Sequence, residues 1–364
     1  MSTQDGSGIL FNISNEQQHF RLLELPPSLL ALITSKDPSN LWLKSAETPT
    51  TNLDSKQSGS STVLCTNDHT YQLRQVQSSN SIFILLPSES VLEDNQTTTP
   101  SLSAIAQCTA TLELIPSDPA ASFAMASHLL KESLPSYKGT DTDVGLGTHI
   151  TFSRKYKDKK AIFQDAPFST EEFDKTWNQL CAFEVLDRAW LPTPSALALA
   201  WKSILSAATV RGVNLEKSFD FKSLVEMVGH DGFPEALIIA VVIRLASNTN
   251  YLKDDYVSLD RDKTVQWVGI ICLQKAGESG QASTEGIAQS DFLAQWHDLL
   301  PEGWRKHASM DLLKAKFSHS DPSKGKIVFG EDIYDPTSLE TLPSANTGGQ
   351  TNRKWHDKFR MGRK

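Results

Sequence analysis

The chain has 364 residues, with 35 Lys and Arg against 43 Asp and Glu, for a net charge of −8. At roughly 150 residues per domain this length predicts two or three domains. A content of 39% hydrophobic residues, with eight Trp and 16 Phe, excludes a wholly disordered or collagen-like protein. The acidic total argues against a surface coated with nucleic acid along its whole length.

Residues 1–116 predict an all-β unit that starts at about residue 8. The opening MSTQDGSGIL carries an acid and no basic region, so a frayed start is expected there and not a signal peptide. Pro27 to Ile33, with Leu29, Leu30 and Leu32 after a proline, predicts a short helix. Strand patterns follow at Leu41 to Leu43, Val63 to Cys65, Tyr71 to Leu73, Ile82 to Leu86 and Thr109 to Ile115, separated by turn clusters such as Thr66-Asn-Asp68. Two polar stretches, 45–62 and 87–101, are expected to be disordered loops; in the first, nine of 18 residues are Ser or Thr.

Beyond Pro116 the period changes. Residues 117–164 predict a helical, basic linker. The module expected over 165–275 opens with the capping box Ser169-Thr-Glu-Glu172, followed by Phe173, Trp177, Leu180 and Cys181 at helical spacing. A helix over Ala196 to Val210 is next. Phe221 to Val228, Gly229, then Pro234 to Ala246 has the helix-turn-helix outline. Tyr251 to Leu259 is expected to pair as strands around Lys253-Asp-Asp255, and helix returns over Lys263 to Leu273, which makes a winged-helix-like module. A second such module is expected over 286–335, with a capped helix at Ser290 and Asp291, a short helix over Met310 to Phe317 and a hairpin over Ser318 to Phe329. No tandem repeat of fixed period is visible in the sequence. A basic segment, 336–364, follows. The fold class expected is therefore multidomain, an N-terminal all-β domain followed by α+β winged-helix-like modules.

Enzyme signatures are missing. There is no GxxxxGK[ST] loop, Gly145-Leu-Gly147 lacks the third glycine of a dinucleotide fingerprint, and neither HExxH nor GxSxG occurs. No catalytic residue, metal site or cofactor is expected. His297 and His307 are expected to be solvated, and Asp254 and Asp255 to form a hydrated wing tip. Cys65, Cys108, Cys181 and Cys272 lie far apart with no CxxC pair, which fits reduced thiols better than a disulfide framework. The most apolar run, Ala236 to Ile243, falls far short of the roughly 20 residues that span a bilayer, so a soluble chain without a membrane partner is expected.

Charge clustering is more informative. Arg154 to Lys160 sets five basic residues against one acid, the pattern of a solvated linker or localisation signal. Thr351 to Lys364 carries six cations and one acid, so its +5 leaves −13 for the remainder. There Trp355 and Phe359 are interleaved with Arg353, Lys354, Lys358, Arg360, Arg363 and Lys364, a pattern in which aromatic faces stack bases and cations neutralise phosphates. A solvated extension or import signal whose aromatics dock on a partner protein explains the same pattern. Pro234 to Ala246 offers only Arg244 as a cation, so this helix is expected to pack inside and not to read bases. The later module, with Lys314, Lys316, His319, Lys324 and Lys326, is the better candidate for phosphate contact.

Val63-Leu-Cys-Thr-Asn-Asp-His-Thr-Tyr-Gln-Leu-Arg-Gln-Val-Gln-Ser-Ser-Asn-Ser-Ile-Phe-Ile-Leu-Leu-Pro87 resembles a known family, the sister-chromatid cohesion subunit of the alternative, cohesion-specific replication factor C clamp loader. Phe20 to Pro26, Val257 to Lys263 and Asp291 to Trp304 agree with it in order. The resemblance implies a non-catalytic nuclear subunit whose β domain joins a small companion subunit and the end of the loader's large subunit in a composite β-barrel, with winged-helix modules behind it. It also implies attachment of the loader to DNA polymerase ε, action on the sliding clamp PCNA at replication forks, and support of sister-chromatid cohesion and checkpoint signalling. Carried onto this chain, Val63, Leu64, Tyr71, Leu73, Ile82, Phe83 and Ile84 would form the barrel and its partner edge. DNA contact is possible through Lys324, Lys326 and the 351–364 segment. Family members can carry a further winged helix, and the 28 residues after Pro336 are too few for one. An independent winged-helix DNA-binding regulator, stable alone, is the other class these residues allow.

Overall fold

The computed structural model describes residues 8–46, 61–91, 98–139, 157–229, 232–247, 256–278, 286–321 and 325–329. Lys324, Arg353, Lys354, Trp355, Lys358, Arg360, Arg363 and Lys364 lie outside these residues, as do Asp254 and Asp255. The whole is a multidomain α+β chain, with one curled β-sheet at the front and helices carrying small sheets behind it.

The front sheet has six strands. β1 (Leu10–Ile13) and β2 (Leu22–Glu24) both run parallel to β6 (Thr98–Pro116), and β6 pairs antiparallel with β5 (Thr70–Val91). β4 (Ser61–Cys65) and β3 (Trp42–Ala46) complete the order β1-β6-β5-β4-β3. Helix α1 (Pro27–Ile33) lies on one face. Its Leu29 meets Leu64, Tyr71 and Leu114, with Leu25, Leu32 and Leu73 packed around them. Because successive side chains of a strand point to opposite faces, Val63 and Cys65 occupy the other face of β4, beside Trp42.

Two strand patterns that read separately, Tyr71 to Leu73 and Ile82 to Leu86, are parts of one 22-residue strand. Of the residues between them, Arg74 to Gln77 pair with Glu113 to Ala110 of β6 and Ser78 to Ser81 fall in the register shift between Gln77 and Ile82; a second shift lies between Ile84 and Leu85. The same pairing corrects the loop expected over 87–101: Pro87 to Val91 and Thr98 to Ser101 are strand, registered Pro87↔Leu102 through Val91↔Thr98. Ser45 and Ala46, and Ser61 and Thr62, likewise pair as strand at the two ends of the stretch expected to be loop over 45–62. Of the stretch expected to fray, residues 1–7 lie outside the described residues and its last residue, Leu10, begins β1.

Behind the sheet one connectivity recurs three times. α2 (Pro119–Ser133), β7 (Ser136–Tyr137), α3 (Lys159–Asp165), α4 (Thr170–Gln179), β8 (Phe183–Val185) and β9 (Arg188–Pro192) come first. α5 (Pro194–Arg211), β10 (Phe219–Asp220), α6 (Phe221–Gly229), α7 (Glu235–Leu245), Ala246 and β11 (Tyr256–Val257) follow. α8 (Arg261–Glu278), β12 (Ile287–Ala288), α9 (Gln289–Asp298), the 3-10 turns Glu302–His307 and Met310–Lys316, β13 (Phe317–Asp321) and β14 (Lys326–Phe329) close the series. Each time the first strand pairs with the last, and the last with the middle one: β7-β9-β8, β10-β11 with the Ala246↔Leu259 bridge, and β12-β14-β13. The first unit differs in that β7 runs parallel to β9. Of the strands expected around Lys253-Asp-Asp255, Tyr251 to Asp255 lie outside the described residues, and Tyr256 and Val257 pair with Asp220 and Phe219.

The segment expected as a basic linker carries α2, β7 and most of α3. Their apolar side chains Ala126, Leu130 and Ile162 share one core with Phe173, Trp177 and Leu180 of the capping-box helix. A larger core runs from Trp201 of α5 through Leu237, Ile238 and Val241 of α7 to Val268, Phe292 and Trp296. Its two fully buried indoles donate to backbone carbonyls, Trp201 Nε1 to Leu299 O at 2.7 Å and Trp296 Nε1 to Val265 O at 2.9 Å, which satisfies the one polar atom each brings inside. α9 starts one residue before Ser290, behind Ala288, which offers no side-chain cap. His297 and His307 are half-buried rather than solvated, and His297 Nε2 is buried with no hydrogen-bond partner among the described residues.

Candidate partner-binding sheet

The seven strand residues singled out in the sequence separate into two groups. Val63, Leu64 and Tyr71 are buried and Leu73 is half-buried, all within the small cores under α1 and beside Trp42. They hold the sheet together. Ile82 is 48% exposed and Phe83 43% exposed, with Ile84 half-buried between Phe83 and the exposed Leu85 and Leu86. Neighbouring strand residues face opposite ways, so β5 shows apolar side chains on both of its faces over Ile82 to Leu86, while Ala104, Ala106 and Cys108 opposite them on β6 are buried.

The surface continues beyond the hairpin. β1 lies along β6, and its Leu10, Phe11 and Ile13 are exposed together with Ile9. Ile9 and Leu10 fall in the stretch expected to fray and no strand is expected over Phe11 to Ile13, although Ile9-Leu10-Phe11-Asn-Ile13 is an apolar run of strand length. Phe20 and Leu23 are exposed as well.

Backbone groups are left over too. β4 covers β5 only from Thr70 to Gln72, so from Leu73 to Val91 the second edge of β5 has no strand partner among the described residues. The outer edge of β3 is in the same position. Unpaired strand edges accept a further strand, and charges or bulges usually guard against it. Here the guard is slight: Arg74 and Glu113, directly opposite in register, form a 2.6 Å ion pair on the hairpin, and the segment from Ile82 to Leu86 carries no charge.

The core of the sheet is small. Leu29, Leu64, Tyr71 and Leu114 are one buried cluster, Val63 with Cys65 the other, and the side chains of Ile82 to Leu86 belong to neither.

Those basic candidates that fall within the described residues lie in the last module. Lys326 is half-buried at the start of β14, next to Ala288 of β12 in register. Lys314 and Lys316 fall in the turn Met310–Lys316, and His319 in β13. α7 is buried along its length apart from Glu235 at its start and three half-buried positions, and Arg244 is 8% exposed, as expected of a helix that supports and does not read DNA.

The chain is thus an α+β array of small units behind a curled sheet that exposes apolar side chains. The family model of sister chromatid cohesion protein Dcc1 matches residues 20–341, nearly the whole chain. The chain belongs to this family, one of cohesion adaptors, and membership implies a role in sister chromatid cohesion.

Proposed function

We propose that this chain is a non-catalytic adaptor of an alternative replication factor C clamp loader, and that its β5–β6 hairpin completes a composite β-barrel with the loader's large subunit and a small companion subunit. The observation that carries this reading is the exposure of Ile82, Phe83, Leu85 and Leu86 beside an unpaired β5 edge. Strand addition would supply the backbone partners and cover the side chains in one step. The three recurring helix–strand–helix–helix–strand–strand units act as winged-helix modules, supported by their shared strand order. In this reading the assembly works in the nucleus, joins the loader to DNA polymerase ε, acts on PCNA at forks and serves cohesion and the replication checkpoint.

DNA contact falls to the cations of the last module, Lys324 and Lys326, and to the 351–364 segment, whose charge is +5 against −13 for the rest. The buried α7 speaks against an independent sequence-reading regulator.

Coexpression with the two companion subunits tests the adaptor reading. The chain alone is expected to be poorly soluble, and the three chains together to purify as a stoichiometric trimer that Ile82→Ser with Phe83→Ser abolishes. A chain that is soluble, monomeric and fully folded without partners would overturn it. For DNA, deleting residues 351–364 from the trimer is expected to weaken binding and flatten its dependence on salt; an unchanged salt slope excludes the segment from the contact.

A further inference from the structure

The β-sheet and the helical array meet at a junction made of polar contacts. Among the described residues no buried apolar cluster spans it: Leu64, Tyr71 and Leu114 form one core, Ile162, Phe168 and Phe173 another. Interfaces of this kind within a chain ordinarily permit relative motion. Here two sets of polar contacts oppose it, the first made by one side chain. Lys44 leaves the edge strand β3 and places its ammonium 3.0 Å from Phe163 O, 2.9 Å from Ala166 O and 3.1 Å from Phe168 O. The same ammonium lies 3.8 Å from the centre of the Phe163 ring.

The three carbonyls lie in the last turn of α3 and just past it, where the C=O groups of a helix run short of intrahelical donors. Ala166 is its C-cap residue, Ala166 is fully buried and Phe168 3% exposed. Lys44 thus supplies three N–H donors to three carbonyls of a different unit, beside the local backbone bonds from Ala166 N to Phe163 O at 3.2 Å and from Phe168 N to Ala166 O at 2.9 Å. A cation at a helix C-terminus also meets the negative end of the helix dipole. Burial lowers the Lys44 pKa, with the nearby Cys65 opposing that shift; the cost of desolvating the cation is what the three acceptors and the ring offset.

A second clasp lies beside the first. Ser169 N donates to Thr70 Oγ1 at 2.8 Å, Thr70 Oγ1 donates to Glu172 Oε2, and Glu171 N donates to Asn67 O at 2.9 Å. The turn after β4 is thereby held on the first turn of α4.

We infer that Lys44 is a positioning residue, the latch that fixes the direction of the β-sheet on the helical array. Partners bound at the hairpin are consequently presented at a set angle to the modules behind. Opening the latch frees that angle and frays the end of α3, and leaves the hairpin's own binding surface intact.

Lys44→Met keeps the length of the side chain and removes its donors. Hydrogen exchange on the full chain, in complex with its companions where those are needed for solubility, reads the local effect: exchange of the Ala166 and Phe168 amides is expected to rise about tenfold or more, the scale of a lost charge-assisted hydrogen bond. Amides of Leu73 and Leu114 are expected to keep their protection. Spin labels at Gln75→Cys in β5 and Val210→Cys in α5, both exposed sites in a chain whose native cysteines are buried, read the angle, and their distance distribution is expected to broaden. Lys44→Arg is expected to stay near the parent in both measurements. Unchanged exchange at Ala166 with an unchanged distribution overturns the proposal. Equal loss of protection at Leu73 and Leu114 also overturns it, because Lys44 would then be an ordinary support of the β fold.

Discussion

The indole of Trp296 rests directly on the backbone of Gly269: a β-carbon on that glycine would lie 2.6 Å from both Cε2 and Cζ2 of the ring, and 3.0 Å from Leu313 Cδ1. The ring has no room to retreat, because Trp296 is fully buried and its Nε1 is held by Val265 O. The close approach of α8 and α9 therefore depends on the missing side chain. Gly269→Ala is expected to destabilise the helical array by about 1–3 kcal/mol through overpacking, despite the better helix propensity of alanine. Thermal unfolding of the variant checks this; an unchanged or raised melting temperature would show that the helices part at little cost.

The β8–β9 hairpin turns through Leu186 and Asp187, whose φ values are 51° and 58°. Both are left-handed, the geometry of a two-residue primed turn that favours Asn and Gly. Leu186 is 70% exposed, so it has almost no packing to set against the strain. Leu186→Asn is expected to stabilise the protein by roughly 0.5–1 kcal/mol. The midpoint of denaturant unfolding measures the gain, and a loss of stability would mean that the leucine makes a contact that outweighs its backbone cost.

Burial pushes the thiols of Cys181 and Cys272 up to about 12 from an ordinary 9.0, with Arg244 and Lys263 pulling the first and Lys275 the second slightly back. In the unfolded chain these thiols ionise at their ordinary value, so above it the folded state holds protons that the unfolded state has released. Their contribution to stability is therefore complete below about pH 9 and is lost as the pH rises toward about 12. Comparing denaturation at about pH 8 and about pH 10.5 in the parent and in Cys181→Ala with Cys272→Ala isolates the thiols from lysines and tyrosines that titrate nearby. The parent is expected to lose more stability over that interval than the double variant. Equal losses would place both thiols in contact with water.

Local chemistry carried through from sequence to structure where an element closes on itself. The capping box at Ser169 and Glu172 is present with both reciprocal bonds, and the apolar α7 is buried as its composition demands. Partner choice did not carry through. Val257 pairs with Phe219, far back in the chain, and nothing in either dipeptide announces the other. Cys181 closes α4 in the left-handed conformation, φ 51°, with Ala182 N on Trp177 O and Cys181 N on Asn178 O, a helix end usually marked by glycine and invisible here for want of one. The site was half legible for a related reason. An unbroken apolar run such as Ile82 to Leu86 reads as a strand covered on both faces; the structure leaves it uncovered on both, because among the described residues no element lies over it.

That division predicts two kinds of failure within one strand. Leu64 and Tyr71 hold α1 on the sheet through Leu29, so Leu64→Ala or Tyr71→Ala removes most of a core that has few other members. The cost is expected at about 2–4 kcal/mol, seen as loss of β-unit amide protection whether or not partners are present. Ile82→Ser and Phe83→Ser act on exposed side chains, and are expected to leave amide protection around Leu73 and Leu114 within a factor of about three while abolishing coelution with the companion subunits. Solubility separates the two sets again: it should rise in the Ile82 and Phe83 variants as apolar surface is removed from water, and fall in the Leu64 and Tyr71 variants as core is exposed to it. Variants of Ile82 and Phe83 that still assemble would move the partner surface to β1, where Phe11 and Ile13 are the next residues to change.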